Sequence, residues 1–340
     1  MQYEITTKQP LLDKKGHLTE KGWARELLLE YNRQNITAPA DSIKEWDYYY
    51  TGNESYGVAF SMANLGAIRA LSVHFLDFEN NKQYMNIATC PLLENDSHKM
   101  PLDSLGDASF ESENARCHYI RTPESHQIEA KFEDFTNGLT LEANLTLTIP
   151  KTESMVIVVP FDEDPTMFYY NQKINCLHPE GSVKIGDKEY HFSSENAFSV
   201  LDWGRGVWPK ANTWYWGSGS GRVNGVDFGF NIGYGFGNTS AASENLLIYD
   251  GKVHKLDQIE FHIPESSFLE PWTFTSSDGR FEMNFIPVLD RHSCGSRGKF
   301  QSDQHQVFGK FSGRAILDDG TVIELSDFMG FAEKVVNSYL

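Results

Sequence analysis

The chain is poor in features that would announce a function directly. Its four cysteines, Cys90, Cys117, Cys176 and Cys294, contain no C-x-x-C pair, which removes a zinc ribbon or a disulfide framework. Eleven histidines include no H-x-H and no H-E-x-x-H, so no metal site and no other cofactor is expected. Basic residues are few: 29 Lys and Arg against 47 Asp and Glu give a formal net charge of −18. Nucleic acid and anionic membrane surfaces both require a basic face and are excluded as partners. No apolar run approaches the ~20 residues of a membrane-spanning helix. Met1–Ile5 lacks the basic and apolar regions of a secretory signal, so the expectation is a cytoplasmic protein with free thiols.

Helix is scarce as well. One is predicted over 20–33, capped by Thr19, because Trp23, Leu27 and Tyr31 fall four apart on one helical face. Elsewhere the periodicity is two. Leu141, Ala143, Leu145 and Leu147 alternate with Glu142, Asn144 and Thr146, the pattern of a sheet with one wet face. Between Gly225 and Gly237, Val226, Phe228, Phe230, Ile232, Tyr234 and Phe236 alternate mainly with glycine. Such a bare strand face marks close approach by another group or a sharp bend. Asp250-Gly251, Asp278-Gly279 and Asp319-Gly320 supply hairpin turns. The polar stretches 90–113 and 290–303 read as loops, the first a long one or a lid.

These signals predict an antiparallel all-β protein of barrel or sandwich type. At 340 residues the chain is long for one core. The simplest division is an arm and helix at 1–42, a first β domain at 43–190 and a second at 191–340.

Four of the seven tryptophans, Trp203, Trp208, Trp214 and Trp216, lie within fourteen residues. They surround the string Asp202-Trp203-Gly204-Arg205-Gly206-Val207-Trp208-Pro209. A carboxylate and a guanidinium among large rings suggest a polar point in a small-molecule pocket. An apolar surround would raise the Asp202 pKa and suit it to general-acid work, whereas pairing with Arg205 would lower it. Glu244 and His305 are candidate proton-transfer partners. Asp47 and Tyr49 in the Trp46–Tyr50 run, together with Asn245, complete the candidate lining. Gly217-Ser218-Gly219-Ser220-Gly221 places glycine where G-x-S-x-G requires serine, so no serine nucleophile follows.

The segments Lys44–Tyr49, Asp202–Pro209, Trp214–Trp216, Ser243–Asn245, His305–Gly313 and Gly330–Glu333 resemble those of a bacterial family, domain of unknown function 2804. More remotely, the acid before W-G, the W-x-W and the glycine-turned strand are similar to the carotenoid 1,2-hydratase and AttH-like group. That resemblance implies two tandem lipocalin-like antiparallel β-barrels. Some members of that group hydrate or cyclise isoprenoid or polyene substrates by acid catalysis; the acid among tryptophans leads to the expectation of cofactor-independent hydration, isomerisation or cyclisation of a small, partly apolar molecule, with Asp202 as acid and Arg205 orienting it or holding an anionic group. Two other function classes stay open. One is a non-catalytic binder of a lipid or metabolite. The other is a carbohydrate-active enzyme with Asp202 and Glu244 as its carboxylate pair.

Overall fold

A computed structural model describes residues 2–92 and 100–339. Two large sheets dominate, and both are antiparallel at every pairing. The first runs Lys82–Pro91, Ile68–Asp77, Tyr56–Asn64, Lys44–Gly52, Phe198–Val207, Phe168–Ile185, Leu139–Thr148, Ser125–Thr136, Ala115–Arg121, Ala108–Glu111. The second runs Lys252–Lys255, Leu246–Tyr249, Val226–Tyr234, Asn212–Val223, Val322–Tyr339, Phe300–Ile316, Phe281–Arg297, Trp272–Ser276, Ile259–His262. Each sheet curls into a lipocalin-like half-barrel around its own apolar core. Tyr49, Phe60, Phe75, Phe110 and Leu145 lie in the first core, and Phe230, Phe274, Phe285 and Phe311 in the second.

Several expectations hold for definite reasons. Along Leu139–Thr148 the residues Leu141, Ala143, Leu145 and Leu147 are buried while Glu142 and Asn144 are exposed, as period-two alternation requires. Asp250 and Gly251 both take positive φ, 49° and 72°, which a two-residue hairpin turn of matching twist demands. The bare face of Val226–Tyr234 is a site of close approach. A Cβ on Gly229 would crowd Cys176 and Asn175 of the first sheet.

Others are corrected. No α-helix occurs among the described residues, so the N-terminal helix is absent. Gly22–Ala24 is instead a strand paired with Met155–Pro160, Trp23 opposite Ile157. Trp23 also exchanges backbone hydrogen bonds with Tyr3 and Ile5, so tertiary pairing overrides a helical spacing of only three apolar residues. The stretch 290–303 is no loop. Phe281–Arg297 and Phe300–Ile316 form a continuous hairpin, polar because much of its extension faces water. Of the loop expected at 90–113, residues 93–99 lie outside the described residues, and Ala108–Glu111 is a strand. Finally, Phe198–Val207 is hydrogen-bonded between Lys44–Gly52 and Phe168–Ile185. The chain passes from the first sheet to the second between Val207 and Asn212.

The two half-barrels pack through the outer faces of their central strands. Tyr48, Tyr50 and Val200 of the first meet Trp216, Phe308 and Phe331 of the second in one apolar cluster. Tyr169, Met155 and Ile157 join Ala242, Leu246 and Ile248 in another. Asn175 bonds across to Ser218 at 2.8 Å and to the Phe230 carbonyl at 3.2 Å.

Candidate functional site

Because successive strand residues face opposite sides, the D-W-G-R-G string does not form one site. It contributes to two. Trp203 and Arg205 point into the first half-barrel, while Asp202 points into the seam between the sheets.

Inside the first half-barrel, Arg205 does not pair with Asp202. Its Nη1 donates to Asp47 Oδ1 at 2.9 Å, and Arg121 Nη2 donates to Asp47 Oδ2 at 2.6 Å. Asp47 is wholly buried. Burial would raise its pKa, but the two guanidiniums outweigh that and hold it below the ordinary value. Tyr49 joins this network through Arg121 at 3.0 Å and His126 at 2.7 Å. Trp203 is fully buried with the Arg205 guanidinium over its ring at 4.3 Å. Asp47 is thus paired on both oxygens, while His126 Nε2 and Trp203 Nε1 are buried without a hydrogen-bond partner.

The seam differs. Lys173, directly opposite Asp202 in the ladder, places Nζ 3.7 Å from Asp202 Oδ1 and 3.0 Å from Glu244 Oε2. Asn171 Nδ2 donates to Asp202 Oδ1 at 2.5 Å, and its Oδ1 accepts from Lys173 at 2.8 Å. The ammonium also lies 4.9 Å from the Trp216 ring centre. From the second sheet comes Glu333, opposite Trp216. It accepts from Trp214 Nε1 at 2.7 Å and from Gln306 Nε2 at 3.0 Å.

Two carboxylates, Asp202 and Glu244, thus hold one ammonium, and a third, Glu333, is buried beside them. Burial pushes the Glu333 pKa up to about 7, the charge on Asp202 adding to a rise that the Trp214 hydrogen bond, Arg291 and Lys173 oppose. Burial also raises Asp202, against Lys173 and hydrogen bonds from Asn171 and Trp46. Lys173 would be lowered by burial alone, yet Asp202 and Glu244 raise it overall. The cation is therefore held charged, while burial favours the protonated forms of Asp202 and Glu333.

Half-buried rings flank the group. Trp46 stacks on Tyr169 at 5.9 Å and meets Trp208 edge-on at 5.2 Å; Phe236 touches Tyr169, Trp208 and Trp214 at 4.9, 5.4 and 5.4 Å. The motif's glycines explain themselves here. Gly204 lies opposite Trp46, and any Cβ there would collide with the indole. The rings close over the carboxylates. A cavity of about 30 Å³ between the sheets, lined by residues including Tyr50, Ser199 and Phe331, does not reach Asp202. Nor does an open groove of about 400 Å³ along Tyr234, Glu260 and Thr275.

The remaining candidates separate. Asn245 accepts from the Gly233 N–H at 2.7 Å and donates to the Asp257 carbonyl at 2.9 Å, so it fixes the segment that delivers Glu244. His305 faces away from the seam toward Asp290 and Asp303, since its neighbour Gln306 takes the seam-facing position. Lys173, Asn171 and Glu333 were not legible as site residues. Lys173 sits in Phe168–Ile174, which reads only as a strand, and Glu333 lies 131 positions from Asp202 in the chain. Lys255, beside Glu244, was missed too: burial lowers its pKa to about 7, and it donates to the Ser243 and Asn245 carbonyls. Among the described residues, one group has metal-binding geometry, His292 with Asp303 and His305.

With Trp46, Asp202, the tryptophan pair and Glu333 meeting at one seam, the scattered segments of resemblance have a common place. The chain belongs to the DUF2804 family. That domain of unknown function matches residues 2–339. Among curated proteins, none matches the sequence. An AttH-like protein from Nitrosomonas europaea shares the fold, with a TM-score of 0.55 at 13% identity over 91% of this chain and 96% of that one. Kievitone hydratase from Nectria haematococca aligns at a TM-score of 0.49 and 11% identity, over 97% of this chain and 98% of that one. In this DUF2804 protein the two half-barrels are therefore the tandem lipocalin-like arrangement that the resemblance implied.

Proposed function

We propose that the seam of this DUF2804 protein is an acid–base site acting on a small, partly apolar molecule, with Glu333 as general acid and Asp202 as its partner. The observation that carries this reading is the buried carboxylate cluster: Asp202 and Glu244 hold one ammonium, and Glu333 beside them is pushed up to about 7 by burial although Arg291 and Lys173 oppose the rise. A carboxyl poised there exchanges its proton near neutral pH, which general acid–base catalysis requires.

In the hydration version, the Glu333 O–H bond breaks as its proton passes to one alkene carbon. Water oxygen bonds to the other carbon, and the surplus water proton goes to Asp202. Proton return from Asp202 to Glu333 restores the site, for net addition of one water. Isomerisation and cyclisation share the first step and differ in what quenches the cation. The faces of Trp46, Trp208 and Trp216 would stabilise that developing charge. Substrate enters by displacing the half-buried Trp208 and Phe236 rings. The carbohydrate reading fits less well, because Asp202 and Glu244 grip the same lysine nitrogen rather than facing each other across room for a sugar ring.

The test uses the tryptophans as reporters. A panel of isoprenoid alkenes and alcohols is titrated against wild type and Glu333→Gln, following tryptophan fluorescence and incorporation of ¹⁸O from labelled water. Ligand-induced quenching in both proteins, with ¹⁸O incorporation lost only in the variant, supports the proposal. Quenching without turnover in wild type leaves a binding protein, and unchanged turnover in Glu333→Gln removes the acid.

A further inference from the structure

The hairpin joining Phe281–Arg297 to Phe300–Ile316 holds a second cluster that the acid–base reading does not use. We propose that His292, Asp303 and His305 form a binding site for one divalent transition-metal ion, with zinc the ion that these donors suit best.

The register brings the ligands together. His292 lies directly opposite His305 in the ladder, and Asp303 precedes His305 by two residues on the same face. Directly opposed side chains start about 4.5–5.5 Å apart at Cβ, close enough for both imidazoles to reach one ion. Both Nε2 atoms converge on the same carboxylate oxygen: Asp303 Oδ1 lies 2.9 Å from His292 and 3.6 Å from His305. All three donor atoms fall within 4.8 Å of one another. Tetrahedral zinc with bonds of about 2.0–2.1 Å places its ligands about 3.3 Å apart, so the carboxylate and one imidazole already stand near ligand spacing and the second imidazole must turn to join them.

Two further features orient the donors. Asp290 Oδ2 is 2.7 Å from His305 Nδ1. That contact fixes the N–H on Nδ1 and leaves the Nε2 lone pair free for a metal, the carboxylate–histidine–metal arrangement of many zinc sites. The His305 ring is also sandwiched, parallel to Phe268 at 3.8 Å and to His292 at 4.1 Å. Stacked rings hold their lone pairs in parallel planes, so the exposed His292 imidazole turns out of the stack to meet an ion held by His305 and Asp303. Two nitrogens and one carboxylate oxygen form a borderline donor set that favours zinc over magnesium or calcium. His292 and Asp303 are exposed, so a fourth position faces solvent. The absence of any linear motif is expected here, because the ligands come from two strands joined by a turn. Bound metal would tie the two strands of the hairpin extension, Phe281–Arg297 and Phe300–Ile316, to each other. It lies on the opposite strand face from the seam carboxylates and is independent of the proposal made for them.

The experiment takes the full chain without a histidine tag, strips it with a chelator and titrates Zn²⁺ against a competing chromophoric chelator. One ion per chain is expected. His292→Ala and Asp303→Asn should each weaken binding at least about 100-fold, and Asp290→Asn about 10- to 100-fold. Cys294→Ser, which removes the thiol opposite Asp303, should leave the stoichiometry at one. Because His305 is packed against Phe268, the exposed His292 and Asp303 variants carry the test, with unchanged metal-free melting curves as the folding control. Absence of stoichiometric binding overturns the site, as does wild-type affinity in His292→Ala or loss of binding in Cys294→Ser.

Discussion

Two buried charge clusters lie on opposite sides of the same strand, Phe198–Val207, and they are built to opposite ends. Inside the first half-barrel one carboxylate, Asp47, is gripped by two guanidiniums, and Tyr49 links Arg121 to His126. In the seam, Lys173 holds Asp202 and Glu244, and burial pushes the neighbouring Glu333 up to about 7 against the charges of Arg291 and Lys173. A cluster with cations in excess fixes its protonation state and serves structure. A cluster with carboxylates in excess must hold or release protons, which is what chemistry needs. The lesson is that proximity to tryptophan does not identify the acid. The ratio of buried carboxylate to buried cation does.

The comparison breaks most visibly where a partner is removed from the cation-rich side. Asp47→Ala leaves Arg121 and Arg205 buried without their shared counter-charge, and we expect a loss of about 3–5 kcal/mol in urea unfolding. Glu333→Gln relieves repulsion instead and should leave stability at neutral pH unchanged or raised. An equal loss in both variants would erase the distinction.

A pH series sharpens it. Glu333 has its folded pKa raised from 4.5 to about 7, so the folded form binds the proton more tightly than the unfolded chain does. Its stabilising contribution is complete below pH 4.5 and is lost as pH rises through about 7, a change of up to about 3 kcal/mol. Asp47, whose folded pKa is lowered, contributes in the opposite sense: its stability is present above about pH 4 and lost as pH falls through the folded value. Unfolding free energies from pH 4.5 to 8 should thus decline in wild type more steeply than in Glu333→Gln. Parallel curves would show that Glu333 does not titrate in this window.

The smallest effect concerns the wall. Gly204→Ala sets a methyl group against the Trp46 indole and should cost about 1–3 kcal/mol by overpacking. It should also shift tryptophan emission as Trp46 moves from Tyr169. Unchanged emission would mean that the ring's place does not depend on that glycine.

The site was partly legible. Asp202, Glu244, Trp214 and Trp216 lie together at the seam, and acids amid rare, large rings are conspicuous in sequence. Trp203, Arg205, Asp47 and Tyr49 were read as part of it and lie instead in the half-barrel interior, one residue out of phase. Asp202 and Arg205 are an odd number of positions apart, and strand alternation alone separates them. His305 was displaced from the seam by the same parity, Gln306 taking the inward position. Lys173 and Glu333 sit in ordinary strand sequence, and nothing local distinguishes them from any exposed charge.

Taken alone, the amino-acid order determined which side of each strand is apolar, where Asp-Gly turns reverse the chain, and that glycine at 204 and 229 leaves room for something bulky. Those are local properties, set by side-chain period and allowed backbone angles. Only the tertiary structure decided which strand lies beside which. It turned Trp23 from a helical face into a ladder, and it carried Glu333 to the charge of Asp202. Hydrogen-bond pairing between distant strands depends on the sum of burial over a whole sheet, and no short window of sequence contains that sum.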